Sequence, residues 1–216
     1  PFKLTKAQNR ALSEITQDMT SSKVMNRLVQ GDVGSGKTVV ALLALASAVL
    51  NGYQGALMAP TEILASQHYD SFKEILERFN IKSELLVGSL TKKQKEKVLE
   101  KVKNQEVNIL IGTHALIEDK VEFKNLGIVI TDEQHRFGVR QRGRLSNKGD
   151  SPDILVMTAT PIPRTLALIL YGDLDISIID ELPPGRQPIE TIAIEHKRRN
   201  EAYENLVRSE VQKGRQ

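Results

Sequence analysis

Residues 31–38 read Gly-Asp-Val-Gly-Ser-Gly-Lys-Thr, a sequence whose spacing is typical of a phosphate-binding loop. Glycine allows the tight turn and lets backbone N–H groups approach phosphate oxygens, and the positive end of the following helix adds favourable potential. The Lys37 ammonium would hold the β- and γ-phosphates of a nucleoside triphosphate, and the Thr38 hydroxyl would bind Mg²⁺. The predicted nucleotide-binding residues of this loop are Gly31, Asp32, Val33, Gly34, Ser35, Gly36, Lys37 and Thr38. A chance glycine-rich turn is the alternative, and the strand and helix patterns on either side argue against it.

Two adjacent carboxylates, Asp132 and Glu133, follow a hydrophobic run at residues 128–131. A carboxylate pair after a strand is more often a solvated turn when nothing accompanies it. Phosphoryl transfer, however, needs a fixed metal and a water aimed at the γ-phosphate. Asp132 would bind or orient Mg²⁺, and Glu133 would orient or deprotonate the attacking water. We therefore predict ATP and Mg²⁺ as cofactors and Lys37, Asp132 and Glu133 as the catalytic residues.

Short aliphatic runs alternate with longer helical patterns along the chain, which predicts a doubly wound parallel sheet flanked by helices. Most runs lack polar alternation, as expected for strands that are buried on both faces. The predicted strands are 27–30, 56–59, 85–87, 108–111, 128–131 and 154–157, and the predicted helices are 8–19, 37–50, 62–79, 92–104 and 164–170. Ligands of such folds collect at the carboxyl ends of the strands, where both motifs above are placed.

The chain of 216 residues suffices for one full domain and a remainder. We predict one α/β domain at 1–180, a proline-rich linker at 181–190 and the truncated start of a further domain at 191–216, with a strand at 191–194 and a helix at 200–213. A net charge of +3 does not establish a polyanionic partner, and the absence of cysteine fits a reducing cytoplasm. The longest uncharged apolar stretch, 39–50, is too short to cross a membrane.

Six motifs resemble, in order and spacing, the first RecA-like motor domain of superfamily 2 helicases. They are Leu4-Thr5-x-x-Gln8, residues 31–38, Ala59-Pro-Thr-Glu62, Gly112-Thr-His114, Asp132-Glu-Gln-His135 and Thr158-Ala-Thr160. Four longer stretches resemble the bacterial RecG family of branched-DNA helicases: 132–139, 158–165, Tyr171-Gly-Asp-Leu-Asp175 and Leu182-Pro-Pro-Gly-Arg186. The transcription-repair coupling translocases share parts of the first two stretches, whereas the last two favour the RecG family.

This resemblance implies roles that the residues alone would not assign. Gln8 would read the adenine edge, although an exposed glutamine on a helix face is the default interpretation. From its position before a helical stretch, Thr5 is also a candidate N-cap of the helix that follows, and the two roles are compatible. DNA phosphates would be held without base specificity by Pro60, Thr61, Gly112, Thr113 and His114. Thr158 and Thr160 would lie near Glu133 and His135, on a strand between those that carry the two nucleotide motifs, and would couple nucleotide state to DNA grip. Threonines at a strand end are otherwise more often ladder or cap residues.

Three further features carry weaker assignments. The arginines at 136, 140, 142, 144 and 164 suit a phosphate-facing loop and an interdomain surface equally well. The lysine-rich stretch 92–103 is interpreted as a solvated helix face, because acidic residues are interleaved and Val98, Leu99 and Val102 form an inward stripe. The histidines at 68, 114, 135 and 196 lack the spacing of metal ligands, which argues against a metal other than Mg²⁺.

The resemblance implies an ATP-driven motor lobe of a helicase that remodels forks and Holliday junctions in recombination and repair. Its partners would be branched DNA and, in the full-length chain, a second RecA-like lobe and an N-terminal wedge domain. Because the second lobe supplies the arginines that stabilise the transferring phosphoryl group, this chain by itself is expected to bind nucleotide weakly and hydrolyse it poorly. The alternatives are a translocase of the transcription-repair coupling type, a nucleotide-dependent DNA-binding switch and, least favoured, a small-molecule kinase.

Overall fold

A computed structural model of the chain describes residues 3–132, 145–160, 174–181 and 193–214. The chain divides into two compact units, Pro1–Pro183 and Pro184–Gln216. The predicted helix at 164–170, the RecG-like stretches around 171–175 and 182–186, and the arginines at 136–144 and 164 lie wholly or largely outside the described residues. Among the described helices, none combines the length and the apolar character that crossing a membrane would require.

The first unit contains a seven-stranded sheet within its described residues. The strands are β1 (Asn26–Gly31), β2 (Gln54–Met58), β3 (Ser83–Leu86), β4 (Ile109–Gly112), β5 (Leu126–Thr131), β6 (Asp153–Thr158) and β7 (Asp175–Ile179). Their order across the sheet is β3-β4-β2-β5-β6-β1-β7, and every neighbouring pair is parallel. The predicted α/β class, a parallel sheet flanked by helices, is therefore confirmed.

Among the described residues, the α-helices of the first unit are α1 (Lys6–Met19), α2 (Lys37–Leu50), α3 (Glu62–Glu77) and α4 (Lys92–Lys103), and α5 (Arg199–Gln212) lies in the second unit. Threonines begin three of them: Thr5, Thr61 and Thr91 each accept a backbone N–H of the first turn. On α4, Val98 and Val102 are buried while Lys92 and Lys97 are exposed, so the predicted solvated face is confirmed.

Successive residues of the central strands belong to opposite sides of the core. In β5, Ile128 and Ile130 join the cluster that contains Phe72, whereas Val129 between them joins the cluster that contains Val102. Because consecutive side chains of a strand point to opposite faces, both faces of the sheet are covered. This explains why the predicted strands show no polar alternation.

The first unit also has an edge strand that the sequence did not predict. In β7, burial alternates with exposure, and Ile178 remains half exposed. One face of this strand is buried and the other only in part, through Ile176, so the strand lacks the continuous buried run by which the central strands were predicted. In the second unit, Ala193 and Ile194 form no strand, so these two residues of the predicted strand at 191–194 are a correction, and the others lie outside the described residues.

A buried arginine holds α1 against β1 and β7. Arg27 is only 8% exposed, and its guanidinium donates to Asp18 (2.6 Å), Glu14 (3.2 Å) and the Ser177 hydroxyl (2.9 Å). Hydrogen bonds between charged groups are stronger than neutral ones and specify geometry. The position of α1, and with it that of Gln8, is fixed by this network.

Candidate nucleotide-binding site

Both nucleotide motifs lie on one edge of the sheet. The glycine-rich loop follows β1 and Asp132 follows β5, while β6 runs between these two strands. The register places Gln30 opposite Thr158 and Thr131 opposite Val156, so the three strands end together. Two strand spacings separate β1 from β5, a distance of about 10 Å. A triphosphate with a bound cation can span this distance, and the strand position expected for Thr158 is confirmed.

The backbone of the loop has the form that phosphate binding requires. Gly34 (φ 80°) and Gly36 (φ 88°) adopt left-handed conformations, and α2 begins at Lys37, directly after Gly36. The first N–H groups of a helix have no acceptor within it, so they are directed out of its amino end. A phosphate group fits this cradle by conformation as well as by sequence.

The Lys37 ammonium bonds to the loop itself. It donates to the carbonyl oxygens of Gly31 (2.6 Å) and Asp32 (2.9 Å). The ammonium has three N–H donors, and these two carbonyls of the loop accept two of them. A triphosphate that binds Lys37 would replace these two bonds. Both are local, because Gly31 and Asp32 lie six and five positions before Lys37.

Gln8 is hydrogen-bonded to the phosphate loop. It is 3% exposed, and its side-chain amide donates to the Ser35 carbonyl (2.8 Å) and accepts from the Thr5 N–H (3.0 Å). The second bond completes a capping box at the start of α1, which confirms the geometry expected of Thr5 as a helix cap. The structure thus shows Gln8 bracing the loop, and its adenine contact stays a prediction.

Asp132 is paired with a residue to which no sequence motif assigns a role. Its Oδ2 lies 2.7 Å from Nε2 of His68, and both side chains are nearly buried. The burial of His68 could have been predicted from its spacing, because it lies on the inward stripe of α3 with Ala65, Phe72 and Leu76. A polar residue in an apolar stripe needs a partner, but a partner 64 positions away cannot be identified from periodicity.

The residues present fit Mg²⁺ better than a transition metal. Thr38 and Asp132 offer hard oxygen ligands, and Mg²⁺ usually completes its coordination with phosphate oxygens and water. Within the described ranges, no group of three or more His, Cys, Asp or Glu side chains is assembled that could hold a metal ion. Glu133 and His135 lie outside the described residues.

The residues expected to hold DNA lie on the neighbouring strand ends. Pro60 and Thr61 follow β2, Gly112 to His114 follow β4, and the Ala59 N–H donates to the Gly112 carbonyl (2.8 Å). Thr61 caps α3 through its hydroxyl, and His114 is exposed.

At the end of β4, Gly112 and Thr113 are constrained by packing inside the protein. Thr113 is 2% exposed and its hydroxyl is buried with no hydrogen-bond partner. At Gly112, a Cβ would lie 2.1 Å from the Leu86 carbonyl oxygen, so glycine is required for strand packing. At this strand end His114 is exposed, whereas the Thr113 side chain is buried; the DNA contacts of these residues stay a prediction.

Thr158 and Thr160 form a self-bonded turn at the end of β6. The Thr158 hydroxyl is buried and accepts the Thr160 N–H (3.2 Å), and the two hydroxyls are 3.0 Å apart. The turn therefore shows the capping geometry of threonines at a strand end. The coupling role of this pair stays a prediction.

A doubly wound parallel sheet that carries a glycine-rich phosphate loop and an acidic strand end on the same edge defines the class of P-loop nucleotide-binding proteins. Within that class, the family model described as "DEAD/DEAH box helicase" matches residues 5–169. The chain belongs to the DEAD/DEAH box helicase family.

Several proteins named ATP-dependent DNA helicase RecG are similar to the whole chain. The Bacillus subtilis protein is 56% identical over 216 residues, which are 100% of this chain and 32% of that protein. The Aquifex aeolicus protein is 58% identical over 99% of this chain and 27% of its own length. A solved structure, "RecG bound to three-way DNA junction", superposes with a TM-score of 0.86 at 53% identity and covers 99% of this chain and 28% of that chain. The chain thus spans a third or less of the length of these relatives.

Proposed function

We propose that the chain is the ATP-binding motor lobe of a DNA helicase that remodels branched DNA such as forks and Holliday junctions. The observation that carries the proposal is the arrangement on one edge of the sheet. The phosphate loop, Asp132 and the predicted DNA-contact residues that follow β2 and β4 all lie there. The similarity to RecG proteins supports the substrate class, since one of them is bound to a three-way junction.

Nucleotide binding would begin at the glycine-rich loop. The N–H groups at the start of α2 would hold the phosphates, and Lys37 would exchange its bonds to the Gly31 and Asp32 carbonyls for phosphate oxygens. Thr38 and Asp132 would hold Mg²⁺, which when bound neutralises charge developing on the phosphates. Glu133 would orient the attacking water, a role assigned by its position in the sequence directly after Asp132.

DNA would be held one to two strand positions away from the acidic strand end. β2 lies between β5, which precedes Asp132, and β4, which precedes His114. We propose that Pro60, Thr61 and His114, with main-chain groups of Gly112 and Thr113, contact phosphates without reading bases. A motor that moves along any sequence needs contacts of this kind.

Two other functions are compatible with the same edge. A translocase of the transcription-repair coupling type would share the nucleotide residues, and the names of the similar proteins favour the RecG type over it. A nucleotide-dependent DNA-binding switch would use the same residues without separating strands. These functions differ in what ATP hydrolysis accomplishes, which can be measured.

The test uses the full-length protein that contains this chain, with Lys37→Ala, Glu133→Gln and Lys97→Ala. Lys97 is exposed on α4 and serves as a matched control for loss of a lysine. We expect ATP hydrolysis to be stimulated more by forked than by linear DNA. Lys37→Ala and Glu133→Gln should abolish fork unwinding, and Lys97→Ala should leave it unchanged. Fork unwinding that survives Glu133→Gln contradicts the assigned role of Glu133, and ATP-dependent binding without unwinding by the unaltered protein favours the switch.

The remaining partners follow from the length of the relatives. We propose that the second motor lobe and a wedge domain belong to the rest of the full-length chain, since this chain covers 27% of the length of one RecG protein and 32% of another. The domain limits at 180 and 190 and the cytoplasmic location stay predictions.

A further inference from the structure

The pair of His68 and Asp132 joins α3, which follows β2, to the acidic end of β5. These two elements belong to different sequence motifs. Nε2 of His68 lies 2.7 Å from Oδ2 of Asp132, and the two side chains are 10% and 13% exposed. An ionised carboxylate can only accept, so Nε2 carries the hydrogen and donates. A hydrogen bond to a charged group that is shielded from water restricts that group strongly.

His68 is held firmly in place on α3. Its ring packs against Phe72, with 5.9 Å between ring centroids, and Ala65, Phe72 and Leu76 anchor the same helix face in the core. α3 begins after its cap residue Thr61, which is also one of the proposed DNA contacts. His68 is seven positions after Thr61, which is about 10 Å along the helix axis. A single rigid helix thus connects a proposed phosphate contact to the proposed metal ligand.

We propose that His68 is a positioning residue of the nucleotide site. Its Nε2–H fixes the Asp132 carboxylate in the orientation that Mg²⁺ binding needs and ties that carboxylate to α3, so that DNA at the start of α3 alters Mg²⁺ affinity. The inference rests on the proposed function, because it takes Asp132 as a Mg²⁺ ligand. Residues that orient a ligand through its other atoms commonly change metal affinity by about 10- to 100-fold when they are removed.

The experiment measures how much Mg²⁺ tightens ADP binding to the full-length protein, by titration with a fluorescent ADP analogue with and without Mg²⁺. His68→Phe keeps a ring of similar size and removes the donor, whereas His68→Gln keeps an N–H near the position of Nε2. Leu76→Val trims the same buried face of α3 away from Asp132 and is the matched control for packing.

We expect His68→Phe to lose about 10-fold of the Mg²⁺ enhancement while its ADP affinity without Mg²⁺ stays unchanged. His68→Gln should recover most of this loss, and Leu76→Val should keep the full enhancement although its melting temperature falls. Full enhancement in His68→Phe, or equal losses in the Phe and Gln variants, would overturn the inference. If the unaltered protein shows no Mg²⁺ enhancement, the proposed function itself fails.

A second arm tests the connection through α3. Forked DNA should shift the apparent Mg²⁺ affinity of the unaltered protein and of Leu76→Val, and the shift should disappear in His68→Phe. An equal shift in all three proteins would overturn the connection through His68, because DNA would then be acting by another route.

Discussion

Gly36 is subject to two independent constraints. Its φ of 88° is unfavourable for any residue with a Cβ, and a Cβ placed there would lie 2.2 Å from Nε2 of Gln8. The glycine at the end of the phosphate loop is therefore required by packing against α1 as well as by the turn itself. The Gln8 amide that donates to the Ser35 carbonyl is also the group that leaves no room for a side chain at Gly36.

The two constraints at Gly36 can be separated with Gly52, which has a φ of 87° and nothing within 4 Å of the position that a Cβ would take. We expect Gly52→Ala to cost about 1 kcal/mol of unfolding free energy, for backbone strain alone. Gly36→Ala should cost about 2 to 3 kcal/mol, because the Gln8 side chain must also move. Urea unfolding measures both.

A double variant identifies the contact responsible. Adding Gln8→Ala to Gly36→Ala should cost less than the sum of the two single losses, because the clash is removed together with the bond. Equal losses in Gly36→Ala and Gly52→Ala would show that the approach of Gln8 has no energetic consequence.

Asp153, at the amino end of β6, makes a pH-dependent contribution to the free energy of unfolding. Burial raises the pKa of its carboxyl above the ordinary value, although the Met25 N–H that it accepts (2.7 Å) acts in the opposite direction. The folded state therefore holds the proton more tightly. The stability linked to it is fully present below the ordinary pKa and is lost as the pH rises through the raised value.

Asp153→Asn keeps an oxygen for the Met25 N–H and removes the charge. We expect the unfolding free energy of the variant, relative to the unaltered protein, to rise from acid toward neutral pH. Denaturant unfolding across this range measures the difference. Parallel pH profiles for the two proteins would contradict a raised carboxyl pKa at Asp153.

At the scale of elements, short-range sequence patterns predicted the helices, whose limits are set by interactions between residues close in the chain. The helical patterns located the helices to within a few residues, and α2 begins and ends where the pattern indicated. The Thr5 cap was also predicted, whereas the caps at Thr61 and Thr91 are findings of the structure. Strand β7 and the bond between His68 and Asp132 were not found, because the first pairs at an edge and the second joins distant positions. Contacts of that kind arise only when the sheet is assembled.

Two helix caps allow the structural and the functional role of a threonine to be distinguished. Thr61 and Thr91 each accept a first-turn N–H, from Leu64 (3.3 Å) and Gln94 (3.4 Å). Thr61→Ala and Thr91→Ala should each cost about 1 kcal/mol of unfolding free energy. Only Thr61→Ala should also weaken forked-DNA binding, measured by fluorescence anisotropy with the full-length protein. Equal weakening by both variants would count against the DNA contact at Thr61.

At the scale of the whole molecule, the proposed function requires a second motor lobe in addition to the edge of the sheet described above. The phosphate loop and Asp132 are supplied here, while the chain covers 32% or less of the two RecG relatives described above. Stabilising arginines contributed from another lobe are worth about 10³- to 10⁵-fold in rate in related phosphoryl transfers. Nucleotide binding and rapid hydrolysis should therefore be separable by chain length.

We expect the isolated chain of 216 residues to bind ATP weakly and to hydrolyse it at a rate that forked DNA does not raise. The full-length protein, assayed under the same conditions, should show strong stimulation by DNA. A steady-state phosphate-release assay on the two proteins makes the comparison. Vigorous DNA-stimulated hydrolysis by the isolated chain would mean that the stabilising charges lie within it.

Because the seven strands are parallel, their amino ends lie on the rim of the sheet opposite the phosphate loop. Ser22, exposed in the connection from α1 to β1, lies at the amino end of β1, and the chain contains no cysteine. Ser22→Cys would thus create a unique thiol in this chain, to which a dye could be coupled on the side away from the nucleotide. Energy transfer from that dye to a fluorophore on the DNA fork would follow each advance of the motor without touching its working surface.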